Sequence, residues 1–235
     1  MEIPMGEHMA YDRAIVVFSP EGRLYQVEYA RQAVEKATTT LGVVFKNGVT
    51  LIAAKSITEL SVPASSEKIF KIDEHIGTAT CGLIADSRVL IDFARVQAQI
   101  NRITFNEPIE IKALVKEIGD RKQIFTQYAG IRPYGVSLLI AGTDGKPHLY
   151  ETDPSGTVRE WKAHVIGRGA EIGRKLLMKK YKEGMSKEEA IKLGIETLKT
   201  AKEKLIPKSI EIGIVEGGKF KILSTEETKK FLKAK

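Results

Sequence analysis

Apolar residues recur along the chain at two spacings, every three to four residues or every second residue, and the switches between them mark out its elements. Residues 1 to about 18 follow neither spacing, contain Gly6 and are polar on average. Nothing within one chain offsets their ordering cost of about 1–2 kcal/mol per residue, so they are expected to be mobile unless neighbours hold them. A helix is expected over 19–36: Ser19 can cap it, Pro20 fits its first turn, and Leu24, Val27, Ala30 and Val34 form one apolar stripe. Glu28, Arg31 and Glu35 lie on the other face, so such a helix can dock by one side.

Strand-like runs follow at 39–45 and 49–54, joined at Lys46-Asn47-Gly48, where Asn-Gly is expected to supply the positive φ of a tight hairpin turn. Leu41, Val43 and Phe45 alternate with Gly42 and Val44, so both faces are largely apolar and need cover on both sides. After a polar loop over 59–66, a second strand pair reads at 68–72 and 77–81. Two helical patterns come next and form one layer. The first carries Val89, Phe93, Val96, Ile100 and Ile103, the second Ile111, Leu114, Val115, Ile118 and Phe125. Strands return at 134–141, 148–152 and 157–163, with turn signals at Asp144-Gly145 and Asp153-Pro154-Ser155-Gly156. A second helix pair covers about 170–181 and 187–203, the latter opened by the capping box Ser186-Lys187-Glu188-Glu189. Strands at 210–215 and 219–222 and a short helix after Ser224 complete the chain.

Strands that arrive in hairpins and helices that arrive in consecutive pairs predict stacked antiparallel sheets covered by helices, not a parallel βαβ sheet. The 235 residues, 43% of them hydrophobic, suit one globular domain, and no Pro/Gly/Ser-rich linker divides them. A single cysteine, Cys81, in an apolar stretch excludes a disulfide framework and reads as a small buried hydrophobe. The N-terminus lacks the pattern of a secretion signal and no apolar stretch is long enough to cross a bilayer, so a soluble, cytoplasmic protein without a membrane partner is expected. The formal charge of +7 raises the question of nucleic acid. The lysines are interleaved with acids, as in Lys187-Glu188-Glu189 and Lys202-Glu203-Lys204, which marks solvated helix faces, and no nucleic-acid partner is expected.

His8, His75, His148 and His164 are scattered without ligand spacing, so neither a metal nor a cofactor is expected. Gly167-Arg168-Gly169 before a helix could cradle an anion, but such a pair of glycines more often makes a strand-to-helix turn. Trp161 reads as core or interface.

One segment is far more specific. Tyr11-Asp12-Arg13-Ala14, Phe18-Ser19-Pro20-Glu21-Gly22-Arg23-Leu24 and Gln26-Val27-Glu28-Tyr29-Ala30 follow one another almost without a gap. Thr40-Leu41-Gly42, Glu67-Lys68-Ile69, Gly82-Leu83, Asp86-Ser87-Arg88 and Arg132-Pro133-Tyr134-Gly135-Val136 continue the pattern. In these motifs, over essentially its whole length, the chain resembles the proteasome alpha-subunit family, archaeal type. The resemblance implies an α+β fold, a four-layer αββα sandwich of the N-terminal-nucleophile hydrolase class with two antiparallel sheets flanked by helices. On that reading 1–235 is one domain, with a gating segment over 1–18, a helix over 19–36 and the sandwich over 37–235.

Thr38-Thr39-Thr40-Leu41-Gly42 also resembles the start of mature beta subunits, whose first threonine is the nucleophile, so processing before Thr38 to give a threonine protease is the competing reading. A threonine hydroxyl needs a base, which in that class is the free α-amine of the same residue, with a pKa near 8. Here 37 residues precede Thr38, its nitrogen is an amide, Ala37 replaces the cleavage-site glycine, and Ala54 stands where active subunits carry a carboxylate beside the lysine matched by Lys68. The noncatalytic reading is preferred, with no catalytic residue expected.

The resemblance further implies an outer ring of seven copies stacked on beta subunits, which gates unfolded polypeptides in transit and docks the C-terminal tails of hexameric regulatory ATPases. It assigns the open-gate cluster to Tyr11, Asp12, Pro20 and Tyr29, the tail pocket to Lys68 and Leu83, and the pore loop to Tyr128, Ala129, Gly130 and Ile131. Ala37 and Ala129 depart from usual glycines in the pocket and the loop.

Overall fold

The structure, a computed structural model, describes residues 17–233. Ser19 to Gly22 close a β-turn: the Gly22 N–H donates to Ser19 O at 2.8 Å, the Arg23 N–H to Ser19 Oγ at 3.2 Å, and Gly22 takes a φ of +75°. Helix α1 (Tyr25–Lys36) begins only after this turn, with Leu24 at its N-cap and no side-chain cap. Ser19 and Pro20 therefore do not start the helix as expected, because Ser-Pro-Glu-Gly, with proline second and glycine fourth, suits a turn better. Three of the four predicted stripe residues hold: α1 buries Val27, Ala30 and Val34, with Leu24 left at its N-cap, and packs on strands β4 (Ile76–Gly82) and β5 (Val136–Thr143).

The hairpin β1 (Thr40–Phe45) and β2 (Gly48–Ala54) pairs Phe45 with Gly48. Neither Asn47 nor Gly48 has the positive φ expected of Asn-Gly. Gly48 serves close packing instead, since a Cβ there would lie 2.0 Å from Val215 O on the adjoining strand β9 (Ile210–Glu216). The remaining strands are β3 (Ile69–Asp73), β6 (Pro147–Thr152), β7 (Val158–Glu160), β8 (Ala163–Ile166) and β10 (Lys219–Ile222). They form two wholly antiparallel sheets, ordered β10-β9-β2-β1-β8 and β3-β4-β5-β6-β7. The single strand expected over 157–163 is in fact two, one in each sheet, because the chain steps across the sandwich at Trp161 and Lys162.

Helices α2 (Ile84–Phe105) and α3 (Ile111–Ile124) cover one sheet, where Leu90, Ala94, Leu114 and Ile118 meet Leu138 and Ile140. Helices α4 (Ala170–Lys180) and α5 (Lys187–Thr200) cover the other, Leu177, Ile191 and Leu198 meeting Leu41, Val43 and Ile52. Leu51, Ala53, Ala79, Leu139 and Leu149 fill the space between the sheets, so β1 and β2 are covered on both faces as their sequence requires. A last helix, α6 (Thr225–Lys233), completes six α-helices among the described residues. The capping box at Ser186 and Glu189 forms as predicted. The result is the four-layer αββα sandwich of the N-terminal-nucleophile hydrolase class.

Two features of the helical layer differ from expectation. The α2 stripe of Val89, Val96, Ile100 and Ile103 faces outward, 48% to 84% exposed, while Leu90, Ile91, Ala94 and Ala98 point inward. In α3, Lys122 is fully buried on the same face as Ile118, and its ammonium donates to Val136 O, Thr152 O and Thr152 Oγ1 at 2.8 to 3.0 Å. Burial pushes this lysine's pKa down to about 7.

Candidate functional site

The segment leaving α1 runs through Ala37 into β1 in extended conformation, so Thr38 and Thr40 turn to one side and Thr39 to the other. Lys68, placed just before β3, lies on the first side and is only 5% exposed. Its ammonium donates to Thr38 O at 2.8 Å, Thr38 Oγ1 at 2.9 Å and Thr40 Oγ1 at 2.8 Å. All three N–H groups are thereby used. Thr38 Oγ1 spends its own proton on Ala54 O at 2.6 Å, and Thr40 Oγ1 donates to Thr80 O at 3.0 Å. Burial lowers the Lys68 pKa, opposed by Cys81, Glu203 and Glu211. The buried Cys81 thiol, 3.5 Å from Thr38 O, is pushed up to about 11, chiefly by burial.

On the opposite side Glu203 gathers the Thr39 N–H at 3.0 Å, the Thr39 hydroxyl at 2.7 Å and the Arg168 guanidinium, with Arg168 Nε at 2.8 Å. Burial alone would raise the Glu203 pKa, but these hydrogen bonds outweigh it and hold the carboxyl below its usual range. Gly167, at φ +95°, makes the strand-to-helix turn, and a Cβ there would sit 3.0 Å from Ala37 O, Thr38 O and Cys81 Sγ.

This arrangement holds Thr38 from both sides. The Thr38 nitrogen is a chain amide, its hydroxyl proton is already given to a carbonyl, and the ammonium beside it is a donor rather than a base. No carboxylate bonds Lys68 Nζ among the described residues, and Ala54 contributes only its backbone oxygen.

Leu83, the other expected pocket residue, follows β4 and is 46% exposed; its N–H donates to Gly135 O at 2.9 Å. Gly135 in turn gives its N–H to Asp86 at 2.9 Å, and Asp86 takes a two-pronged fork from Arg132 at 2.6 and 2.7 Å. Burial tends to raise the Asp86 pKa, but the Arg132 and Gly135 donors prevail and hold it low. This clasp fixes the base of the 128–131 loop, in which Tyr128 is 59% exposed, Ile131 40% exposed, and Gly130 has a φ of +83°. The structure thus places Lys68 and Leu83 at neighbouring strand ends and ties Leu83 to the 128–131 loop through Asp86. Pro20 lies exposed in the turn before α1, and Tyr29 is exposed on α1. Tyr11 and Asp12 lie outside the described residues, as does His8.

Glu203, Arg168, Asp86 and Arg132 were given no role by the sequence reading. The Asp86 and Arg132 motifs were visible, but their pairing joins residues 46 positions apart. His75, His148 and His164 are buried and engaged by Ile109 O, by Asp144 and Glu160, and by Glu151. Among the described residues no group of His, Cys, Asp or Glu is placed to hold a metal ion, and no helix is long and apolar enough to cross a membrane.

Two stacked antiparallel sheets flanked by helices are the fold of the N-terminal-nucleophile class, here with Thr38 ahead of β1 hydrogen-bonded to Lys68 ahead of β3. Comparison with known proteins narrows this further. The chain matches the family model for proteasome subunits over residues 34–215 and the N-terminal signature of the family's A-type subunits over residues 11–33. It is 52% identical to the proteasome alpha subunit of Archaeoglobus fulgidus, over 95% of this chain and 93% of that protein. With that of Methanosarcina acetivorans it is 50% identical, over 97% and 94%. With that of Thermococcus sibiricus it is 51% identical, over 94% and 86%. The chain belongs to the proteasome subunit family, on its alpha side.

Proposed function

We propose that this chain is a noncatalytic, gating subunit: it forms an outer ring of seven copies on beta subunits in the cytoplasm, controls the passage of unfolded polypeptide, and receives the C-terminal tails of hexameric ATPases. The carrying observation is the state of Thr38, half-buried in mid-chain with its hydroxyl donating to Ala54 O and its amide unable to serve as a base. The outward stripe of Val89, Val96, Ile100 and Ile103 supports assembly, since one copy working by itself would expose that apolar face to water.

Gating is read as a population shift. Tails bound near Lys68 and Leu83 favour the arrangement in which Tyr11, Asp12, Pro20 and Tyr29 pack together, drawing the N-termini off the pore beside Tyr128, Ala129, Gly130 and Ile131. Tail binding must prefer the open form to do this. Because Lys68 Nζ already holds three oxygens, an arriving carboxylate must displace one of them or act on the ammonium across it. Deleting residues 2–12 is expected to speed peptide hydrolysis by a barrel reconstituted with active beta subunits. An unchanged rate would sink the gating reading.

A further inference from the structure

We propose that the tip of the loop between β2 and β3, Glu59 and Leu60, inserts into a cavity at the β7 and β8 edge of a second copy of this chain. The proposal rests on the ring reading above and adds which two surfaces meet. The cavity holds about 200 Å³, with Val34, Val165 and Ile166 among its apolar lining and Arg31, Arg159 and Arg174 among its charges.

Its charges are not balanced from within. Arg31 is taken by Asp153 at 2.8 Å, and Glu151 by His164 and Trp161. The Arg159 and Arg174 guanidinium groups have neither a hydrogen bond nor an ion pair among the described residues, and of the carboxylates lining the cavity only Glu35 is left to face them. An apolar recess with cationic surplus suits an aliphatic side chain carried next to a carboxylate.

Such a pair stands ready on the same molecule. Leu60 is 100% exposed, an unusual state for a leucine, and Glu59 precedes it. Both sit at the centre of a closed turn: the Ser61 N–H donates to Thr58 O at 3.2 Å, the Thr58 N–H to Ser61 Oγ at 3.1 Å, and Ser61 Oγ–H to Thr58 O at 2.9 Å. Lys55 pins the base of the loop to Glu211 and to Pro63 O. The knob is therefore shaped before it binds, which lowers the entropic cost of docking.

The topology suits a head-to-tail contact. The cavity lies where both sheets end, at β7 and β8, whereas the loop leads into β3, the opposite edge of its sheet. Knob and cavity are different surfaces on opposite sheet edges, which suits a contact repeated around a ring; a reciprocal two-fold dimer, read as twice the subunit mass, would contradict it.

The test uses the full-length chain, assembled alone and with beta subunits, followed by native mass spectrometry and sedimentation over a dilution series. Leu60→Asp and the double substitution Arg159→Glu with Arg174→Glu are each expected to raise the concentration at which rings dissociate by about tenfold or more. Adding Glu59→Arg to the double substitution is expected to restore assembly. Circular dichroism and the unfolding midpoint of the dissociated subunits should stay at wild-type values, because all three sites lie on the surface. If wild-type rings form and the variants dissociate no more readily, this contact is wrong while the ring reading stands. If the wild type forms no ring in either setting, the ring reading fails and takes the contact with it. Rings that persist in the variants while a carboxylate-ended peptide loses binding would assign the cavity to a peptide terminus and overturn the proposal.

Discussion

Lys122→Met isolates the cost of keeping an amine inside the sandwich. Burial pushes this lysine down to about 7, whereas in the unfolded chain it titrates near 10.4. Between those values the unfolded state carries one more proton than the native state, so native stability rises as pH rises through this window. It is lost as pH falls toward 7, below which both states are protonated and the effect is flat. At 1.36 kcal/mol per pH unit, a gap of about three units is worth roughly 4–5 kcal/mol over the whole window, and about 3 kcal/mol between pH 7 and 9.5. Methionine has no titratable group, and other groups cancel when the two proteins are compared. Urea unfolding at fixed protein concentration, from pH 7 to 9.5, should show the stability of wild type relative to Lys122→Met climbing by ~1 kcal/mol per unit. The absolute offset at pH 7 is a separate matter, since methionine removes the ammonium bonds to Val136 O and Thr152 O as well as a buried charge. A relative stability constant over this range would refute the argument and imply that Lys122 reaches water.

Two further outcomes follow from the site. Cys81, fully buried and raised to about 11, should resist iodoacetamide at pH 8 in the native protein and label promptly in denaturant; rapid native labelling, read by mass spectrometry, would contradict its placement between Thr38 and α1. Asp86→Ala should cost about 1–2 kcal/mol, discounted for the exposed Arg132 arm, and should expose the 128–135 loop to limited proteolysis; a loop cut no faster than in wild type would mean that the clasp does not hold it.

The layer order was legible because it depends on strand pairs and helix pairs, which local pattern reports directly. The inward face of α2 was not. That helix carries apolar residues on both sides, and periodicity finds a stripe without saying whether protein or partner covers it; the small Ala94 and Ala98 let it lie close to the sheet, while the larger Val96 and Ile100 point away. The crossing at Trp161 and Lys162 was hidden because two short strands in different sheets read as one run. Lys122 carried a signal that could have found it: Ile111, Val115 and Ile118 at helical spacing put position 122 on the buried face, although its residue type suggests a surface. In the site, the sequence placed Thr38 and Lys68 near one another, and the structure joins them by a hydrogen bond. What sequence could not supply was the hydrogen-bond bookkeeping, in which Thr40 completes the set of acceptors and Glu203 reaches back from the far end of α5.

The step at Trp161 and Lys162 also governs how the folded body carries load. Two residues link β7 of one sheet to β8 of the other, and on the opposite edge the Phe220 N–H reaches Glu74 O at 2.6 Å, so the sheets are stitched along both margins. Neither sheet can slide on the other without breaking a margin. A push on α1, which rests on β4 and β5, is therefore passed to the whole body as a tilt and is not absorbed by internal shear. The described body, residues 17–233, is therefore a stiff unit that moves as one piece, with neither sheet free to shift against the other.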